Sequence, residues 1–390
     1  MTFDPATQAA RMVDSLGPDA LAKAASYTIG SHWMILGGLV SSAIVTWLVV
    51  RWGGLDRLSA RLASRGWAGR TWIVSAAALL TTGLLSFPWS IYAEWYREKD
   101  YGRTSQPLGD FLMQDAIGFV ISVLLGAAFF LGIYALMRRT GRRWWLWGGG
   151  FTAAVAAVTL LISPIVIEPI FNEYKPVPEG AVRTALLGMA DQAGIPHDRI
   201  FMFDGSRQSN NFTANVSGVL GSARIAISDV ALDKASLDEV KAVTGHEIGH
   251  YVLGHVWRSV GLVALLALVA FFLAERLYPW FAARFGTSAA IDEPAGLPVL
   301  LFVIGLLLTL ATPILSGMTR MGEREADNYS LRTVNLPDAL ATALVKTAEY
   351  RDPRPHPVQE FIFYTHPSVE WRVRNAMNWK AAQMASAGTP

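Results

Sequence analysis

Apolar residues gather along this chain into six long runs, at 33–50, 71–93, 116–137, 144–167, 259–276 and 297–319, separated by shorter polar stretches. Roughly 20 apolar residues are needed to cross the hydrocarbon core of a bilayer as a helix, so the pattern predicts about six transmembrane helices. Trp33, Trp89, Trp144 and Trp145 stand near run ends, where amphipathic rings suit the headgroup level. The first 30 residues hold Asp4, Asp14 and Asp19 and no basic segment leading into an apolar one. The first run is therefore expected to stay as an anchor rather than to be cleaved as a signal.

Two polar regions break the pattern, 168–258 and 320–390. The first opens with a proline-punctuated stretch, EPIFNEYKPVPEG, from Glu168 to Gly180. It then predicts an amphipathic helix near 179–194, short strands at 199–204 and 222–228, and a helix starting at Ser236. Ser236 and Glu239 have the spacing of a capping box, and Leu237, Val240 and Val243 continue the helical period. The expected organisation is an N-terminal segment (1–32), four membrane helices (33–167), a polar segment (168–258), two more membrane helices (259–319) and a C-terminal region (320–390).

Composition agrees with a membrane setting. The chain is 52% hydrophobic and only 16% charged, with a mean hydropathy of +0.32, which is too apolar for an ordinary soluble enzyme. A formal charge of +2, with basic residues clustering in short loops between the apolar runs, does not suggest a nucleic-acid surface. The chain has no cysteine, so any metal must sit on His, Asp or Glu.

The helix from Ser236 runs into HEIGH, His246 to His250. Histidines at i and i+4 share a helix face, so both imidazoles can reach one Zn²⁺ while Glu247 stays free to act on water. With 7 histidines in 390 residues, an accidental match is expected on the order of once in a hundred such chains. Just after the sixth run, GEREAD places Glu323 and Asp327 four apart on one helix face. One could bind zinc and the other hold a ligand histidine through its second ring nitrogen. Glu325 is a rival ligand, but it points about 200° around the helix from Glu323. His255, five residues past His250, falls off the ligand face and reads as an exposed or capping histidine.

Taken together, these residues resemble metallopeptidase family 48, and within it the membrane-embedded CAAX prenyl protease 1 group. The resemblance rests on ordered blocks: FPWSIYAEWYREKDYG (Phe87–Gly102), EPIFNEYKPVPEG, DGSRQSNNFTANVSG (Asp204–Gly218), HEIGHYVLGH, GEREAD and THPSVEWR (Thr365–Arg372). It implies a mainly α, polytopic membrane protein with a zincin-like protease domain containing a small β-sheet. It also implies His246, His250 and Glu323 as ligands of one Zn²⁺, Glu247 as general base and Asp327 as the supporting carboxylate. His366 matches a histidine that helps stabilise the oxyanion, with Arg372 accompanying it as a substrate-binding residue. Thr213, Ala214, Asn215 and Val216 match the strand on which substrate lies; here the family's usual Asn-Ala-Tyr-like triplet is replaced by Thr213, Ala214 and Asn215. His32, His197 and His356 match nothing catalytic.

The residue types imply peptide hydrolysis by a zinc-activated water, since neither a G-x-S-x-G elbow nor a phosphate-cradling glycine loop is present. The expected partners are a bilayer and a peptide or protein substrate, by resemblance a prenylated CAAX peptide. The Arg-rich, Cys-free composition suits a bacterial inner membrane. In that setting, membrane-protein quality control of the HtpX type is the alternative, and a non-catalytic polytopic scaffold or transporter is the reading from another class. A site-2-type protease is disfavoured because Asp233, Lys234, Asp238, Glu239 and Lys241 start the HEIGH helix in water. Six spans put both termini and the metal segment on one side. Arg51, Arg57, Arg61, Arg65, Arg70, Arg138, Arg139, Arg142 and Arg143 then lie on the other, where the positive-inside rule would make them cytoplasmic. The resemblance implies a cytoplasmic active site instead, and is preferred here because a missed or re-entrant span would reverse the charge argument.

Overall fold

The computed structural model describes residues 3–218, 223–348 and 351–387. A short helix α1 (Pro5–Asp14) precedes α2 (Pro18–Trp52), α3 (Gly54–Arg61) and α4 (Trp67–Ser90), which passes through a π-helical turn into α5 (Arg97–Asp100). Next come α6 (Leu108–Thr140) and α7 (Trp144–Ile162), the latter running through a second π-helical turn into α8 (Glu168–Phe171). The polar segment supplies β1 (Tyr174–Pro176), α9 (Ala181–Ala193), β2 (Ile200–Phe203), β3 (Ala214–Ser217), β4 (Arg224–Ser228), α10 (Asp229–Lys234) and α11 (Leu237–Val252). Two apolar helices, α12 (His255–Phe285) and α13 (Leu297–Leu310), lead into α14 (Thr312–Thr333), α15 (Pro337–Lys346), α16 (Pro357–Phe363) and α17 (Val369–Ala387).

Each of the six apolar runs falls on a helix. By length and composition, four helical stretches can cross a membrane, or five if α13 and α14, bent by 53°, form one span. The figure falls below six because Leu108–Phe171, which holds two of the runs, is one 64-residue helical path, and because α13, with 14 residues, does not count alone. Gly141 (φ 54) turns that path back on itself, and α7 returns beside α6, with the Phe129 and Phe151 rings stacked 5.5 Å apart. The first span starts at Pro18 rather than at residue 33. The sixth run straddles the bend at Ala311, so its end belongs to the helix that carries Glu323. Only 11 to 22% of the residues in the four apolar windows are buried. Leu36, Val40, Leu84, Val120, Leu124 and Leu265 face outward, which is stable only against lipid.

The helices run between two faces. At the far face, Arg51 at the end of α2 packs on Gly286 after α12, and Arg138 at the end of α6 lies 5.2 Å from the Trp67 ring at the start of α4. At the site face, Tyr27 on α2 donates to Glu98 on α5 (2.5 Å) and Asp110 on α6 pairs with Arg207 (2.6 Å). Glu168 on α8 holds Arg224 of β4 there at 2.5 Å.

The four-stranded sheet has the order β1-β2-β4-β3. The central pair β2 and β4 is parallel, and β3 lies antiparallel on β4 with Ala214 opposite Ile227. β4 is buried along its whole length, and Ile225 and Ile227 pack with Leu186, Ile200, Val240 and Ile248 beneath α9 and α11. A second core joins α15 and α17 through Leu340, Leu344, Val373 and Met377, and Ala9 of α1 closes it. Residue 222 of the expected strand 222–228 lies outside the described residues.

Candidate active site

α11 begins as the sequence requires: Ser236 Oγ accepts from Glu239 N, and Glu239 Oε2 accepts from Ser236 N at 2.7 Å. Lys346 on α15 pins the same carboxylate at 2.8 Å. The face of α11 that meets α14 is lined by glycine. A Cβ on Gly249 would stand 3.1 Å from Ala326 Cα, and one on Gly245 would stand 2.4 Å from Val334 Cγ2. The two backbones therefore approach closely, and α14 brings Glu323 against the histidine pair.

The three predicted ligands converge. His246 Nε2 lies 3.1 Å from His250 Nε2 and 3.3 Å from Glu323 Oε2, and His250 Nε2 lies 3.4 Å from Glu323 Oε1. An ion bound tetrahedrally at about 2.0–2.1 Å holds its ligand atoms about 3.3 Å apart, which matches this spacing. Glu323 Oε2 is buried and makes no hydrogen bond with the described residues, a costly state for a carboxylate that no metal completes. The residues thus fit a divalent metal.

Behind the ligands, Asp327 Oδ1 lies 2.9 Å from His246 Nδ1, so the carboxylate orients that ring as expected. Arg372 donates to both Asp327 oxygens at 2.8 and 2.7 Å. Its fork is spent on Asp327 and reaches Glu323 only at 3.6 Å. His366 stands in front, with Nε2 3.3 Å from Glu323 Oε1 and Nδ1 2.9 Å from Thr365 Oγ1.

A cavity of about 250 Å³ opens on this cluster, lined in part by Thr213, Ala214, Glu247, Arg351, His366 and Arg372. Thr213 and Ala214 are thereby brought to the site, whereas Asn215 and Val216 lie further along β3 and are not among the cavity's lining residues. Thr213 extends the β3 ladder by accepting from Ser228 N at 2.9 Å. Burial raises the pKa of the Glu247 carboxyl. Burial, with the nearby Arg351 and Arg372 cations, pushes His366 down to about 3. The Arg372 guanidinium, although desolvated, is held above its ordinary range by Asp327.

The remaining histidines divide. His32 stacks on Phe363 with centroids 4.1 Å apart, His197 pairs with Asp191, and His356 caps α16. His255 is not the exposed residue that helical spacing predicts. It is 7% exposed, and its Nδ1 lies 2.8 Å from His250 Nδ1. The helix stops at Val252, and Gly254 (φ 68) reverses the chain before α12 begins. The available signal was the glycine directly before His255.

Comparison with known proteins adds two family matches. Residues 176–380 match the family described as Peptidase family M48. Residues 6–173 match that described as CAAX prenyl protease N-terminal, five membrane helices. The chain is 29% identical to an uncharacterized metalloprotease, YhfN, of Bacillus subtilis, over 71% of this chain and 66% of that protein, so it spans about two thirds of that relative. It is 27% identical to the CAAX prenyl protease 1 homolog of Homo sapiens, over 88% of this chain and 82% of that one. A crystal structure of S. mikatae Ste24p is similar in fold, with a TM-score of 0.72, 21% identity and coverage of 85% of this chain and 82% of that chain.

Proposed function

The chain belongs to peptidase family M48, and from that membership we propose that it is an integral-membrane zinc metalloendopeptidase acting on membrane-associated peptides, prenylated CAAX peptides foremost. The observation that carries this is the convergence of His246, His250 and Glu323 at tetrahedral spacing beside a free carboxylate, Glu247. An all-nitrogen-and-oxygen ligand set with an acid at hand suits zinc. Bound there, zinc supplies Lewis acidity to the scissile carbonyl and to a water.

The chain's own residues do the rest. Glu247, on the cavity wall, takes a proton from the attacking water and delivers it to the leaving amine nitrogen. His366 faces the same cavity and donates its N–H to the oxyanion that develops on the substrate carbonyl. Asp327, gripped by Arg372, keeps the His246 ring in register. Among the described residues β3 ends the sheet and pairs with β4 alone, so its outer edge can take an added substrate strand beginning at Thr213 and Ala214 and continuing toward Asn215 and Val216. The lipidated-substrate reading draws on relatives named CAAX prenyl protease 1. The quality-control alternative is less favoured because the N-terminal membrane region matches the CAAX prenyl protease description. A scaffold or transporter leaves the ligand cluster without a purpose.

The setting we propose is a bacterial inner membrane. The 53° bend between α13 and α14 can mark a broken span or a re-entrant loop, but it follows the metal segment, whereas α7 alone joins the arginines at 138–143 to that segment. The contacts at the ends of α2, α4, α6, α7 and α12 are consistent with each running between the arginine face and the site face. The short site-face connection 101–107 carries Arg103 alone. We read this as favouring arginine loops in the cytoplasm and a metal site outside, against the cytoplasmic placement that the resemblance implies.

The test is cleavage of a farnesylated CAAX peptide and its unlipidated twin by the detergent-purified protein and by Glu247→Ala, with and without chelator. Cleavage by wild type alone, abolished by chelator and restored by zinc, is expected, with the lipidated peptide preferred. A zinc-loaded preparation that cuts neither peptide would sink the prenyl-substrate reading.

A further inference from the structure

His246 has Asp327 behind it, but His250 has no carboxylate on its second nitrogen. Its Nδ1 meets His255 Nδ1 at 2.8 Å, and His255 Nε2 in turn lies 2.8 Å from Glu325 Oε2. Arg258, one helical turn along α12, fixes the same oxygen at 2.8 Å. The protons along this chain have one consistent order. When His250 offers its Nε2 lone pair to a metal, its Nδ1 carries the proton and donates to His255 Nδ1. His255 then carries its own proton on Nε2 and donates to Glu325.

The surroundings are built for this contact. Gly254 adopts a left-handed conformation (φ 68), which carries His255 back over His250 instead of onward around the helix. A Cβ on Gly322 of α14 would stand 3.3 Å from His255 Nδ1, so a side chain at position 322 would crowd the imidazole. His255 is buried while Glu325 is half in solvent, their side chains being 8% and 43% exposed. The chain thus runs from the metal cluster to the protein surface.

We propose that His255 and Glu325 form a second positioning relay for the metal centre, fixing the tautomer and ring angle of His250 as Asp327 fixes His246. The relay rests on the reading that His246, His250 and Glu323 hold a metal. His255 is a positioning residue and touches neither substrate nor metal. Outer partners of a ligand histidine set metal affinity by about 10- to 100-fold.

The experiment measures zinc affinity by competition with a chromogenic chelator on the full-length protein in detergent, for wild type, His255→Ala, His255→Asn and Glu325→Gln. Peptidase activity at saturating zinc is followed in parallel. An asparagine carbonyl can stand near the Nδ1 position and accept from His250. His255→Ala is expected to weaken zinc binding by about 10- to 100-fold, His255→Asn to recover most of the loss, and Glu325→Gln, at a half-exposed site that folding tolerates, to show a smaller loss. Wild-type affinity in both His255→Ala and Glu325→Gln would overturn the relay while leaving the metal centre intact. Equal losses in His255→Ala and His255→Asn with no loss in Glu325→Gln would also overturn it, showing that His255 only fills space. Failure of wild type itself to bind zinc would instead bring down the metal reading on which the relay depends.

Discussion

Glu247 on α11 and His366 in the loop between α16 and α17 face one cavity, and their substitutions should separate cleanly. In the mechanism proposed above His366→Ala removes an oxyanion donor but no ligand, so kcat is expected to fall about 10²- to 10³-fold with zinc content unchanged. Steady-state kinetics paired with metal analysis checks this; a parallel loss of zinc would place His366 in the metal shell instead. The cluster of His246, His250 and Glu323 was legible in the sequence because its parts are local: i and i+4 on one helix decide both HEIGH and the Glu323–Asp327 pair. The partners that depend on folding were not. Arg372 sits 45 positions from Asp327, and no pattern in the chain announces that its guanidinium is consumed there. His255 was misplaced because counting at 100° per residue assumes an unbroken helix, and the helix breaks at Gly254.

The α11–α14 contact turns two sequence-distant motifs into one site, and its closeness depends on glycine. Gly249→Val would press branched methyls onto Ala326 and Tyr329, costing about 1–3 kcal/mol and prising Glu323 from the histidines. Both a lower thermal midpoint and weaker zinc binding are expected, and wild-type metal affinity in a folded variant would show that α14 is held by other contacts. Among the elements, the amphipathic helix α9, the strands β2 and β4 and the capped start of α11 were all anticipated to within a few residues. Each carries its own period or cap. The start of α2 at Pro18 was not, since Asp19 and Lys23 break the apolar run without breaking the helix. The bend at Ala311 was also missed, because an apolar run looks the same whether it is straight or turned.

Nine arginines on one face and a protease domain on the other make orientation a property of the entire molecule. The absence of native cysteine makes it measurable with single substitutions. With Glu179→Cys, on the site face, an impermeant maleimide is expected to label intact spheroplasts. With Arg65→Cys, on the arginine face, it is expected to label only after lysis. The reverse pattern would return the active site to the cytoplasm. The metal cluster itself has an unusual footing. α11 meets membrane helix α12 across Gly254, and α14 meets membrane helix α13 across the bend at Ala311. The histidine pair and Glu323 are therefore mounted on the heads of two posts sunk in the bilayer. A clasp carried on two such posts takes its gap from their tilt, so the stiffness and thickness of the lipid become part of the tooling that sets a fraction-of-an-ångström fit.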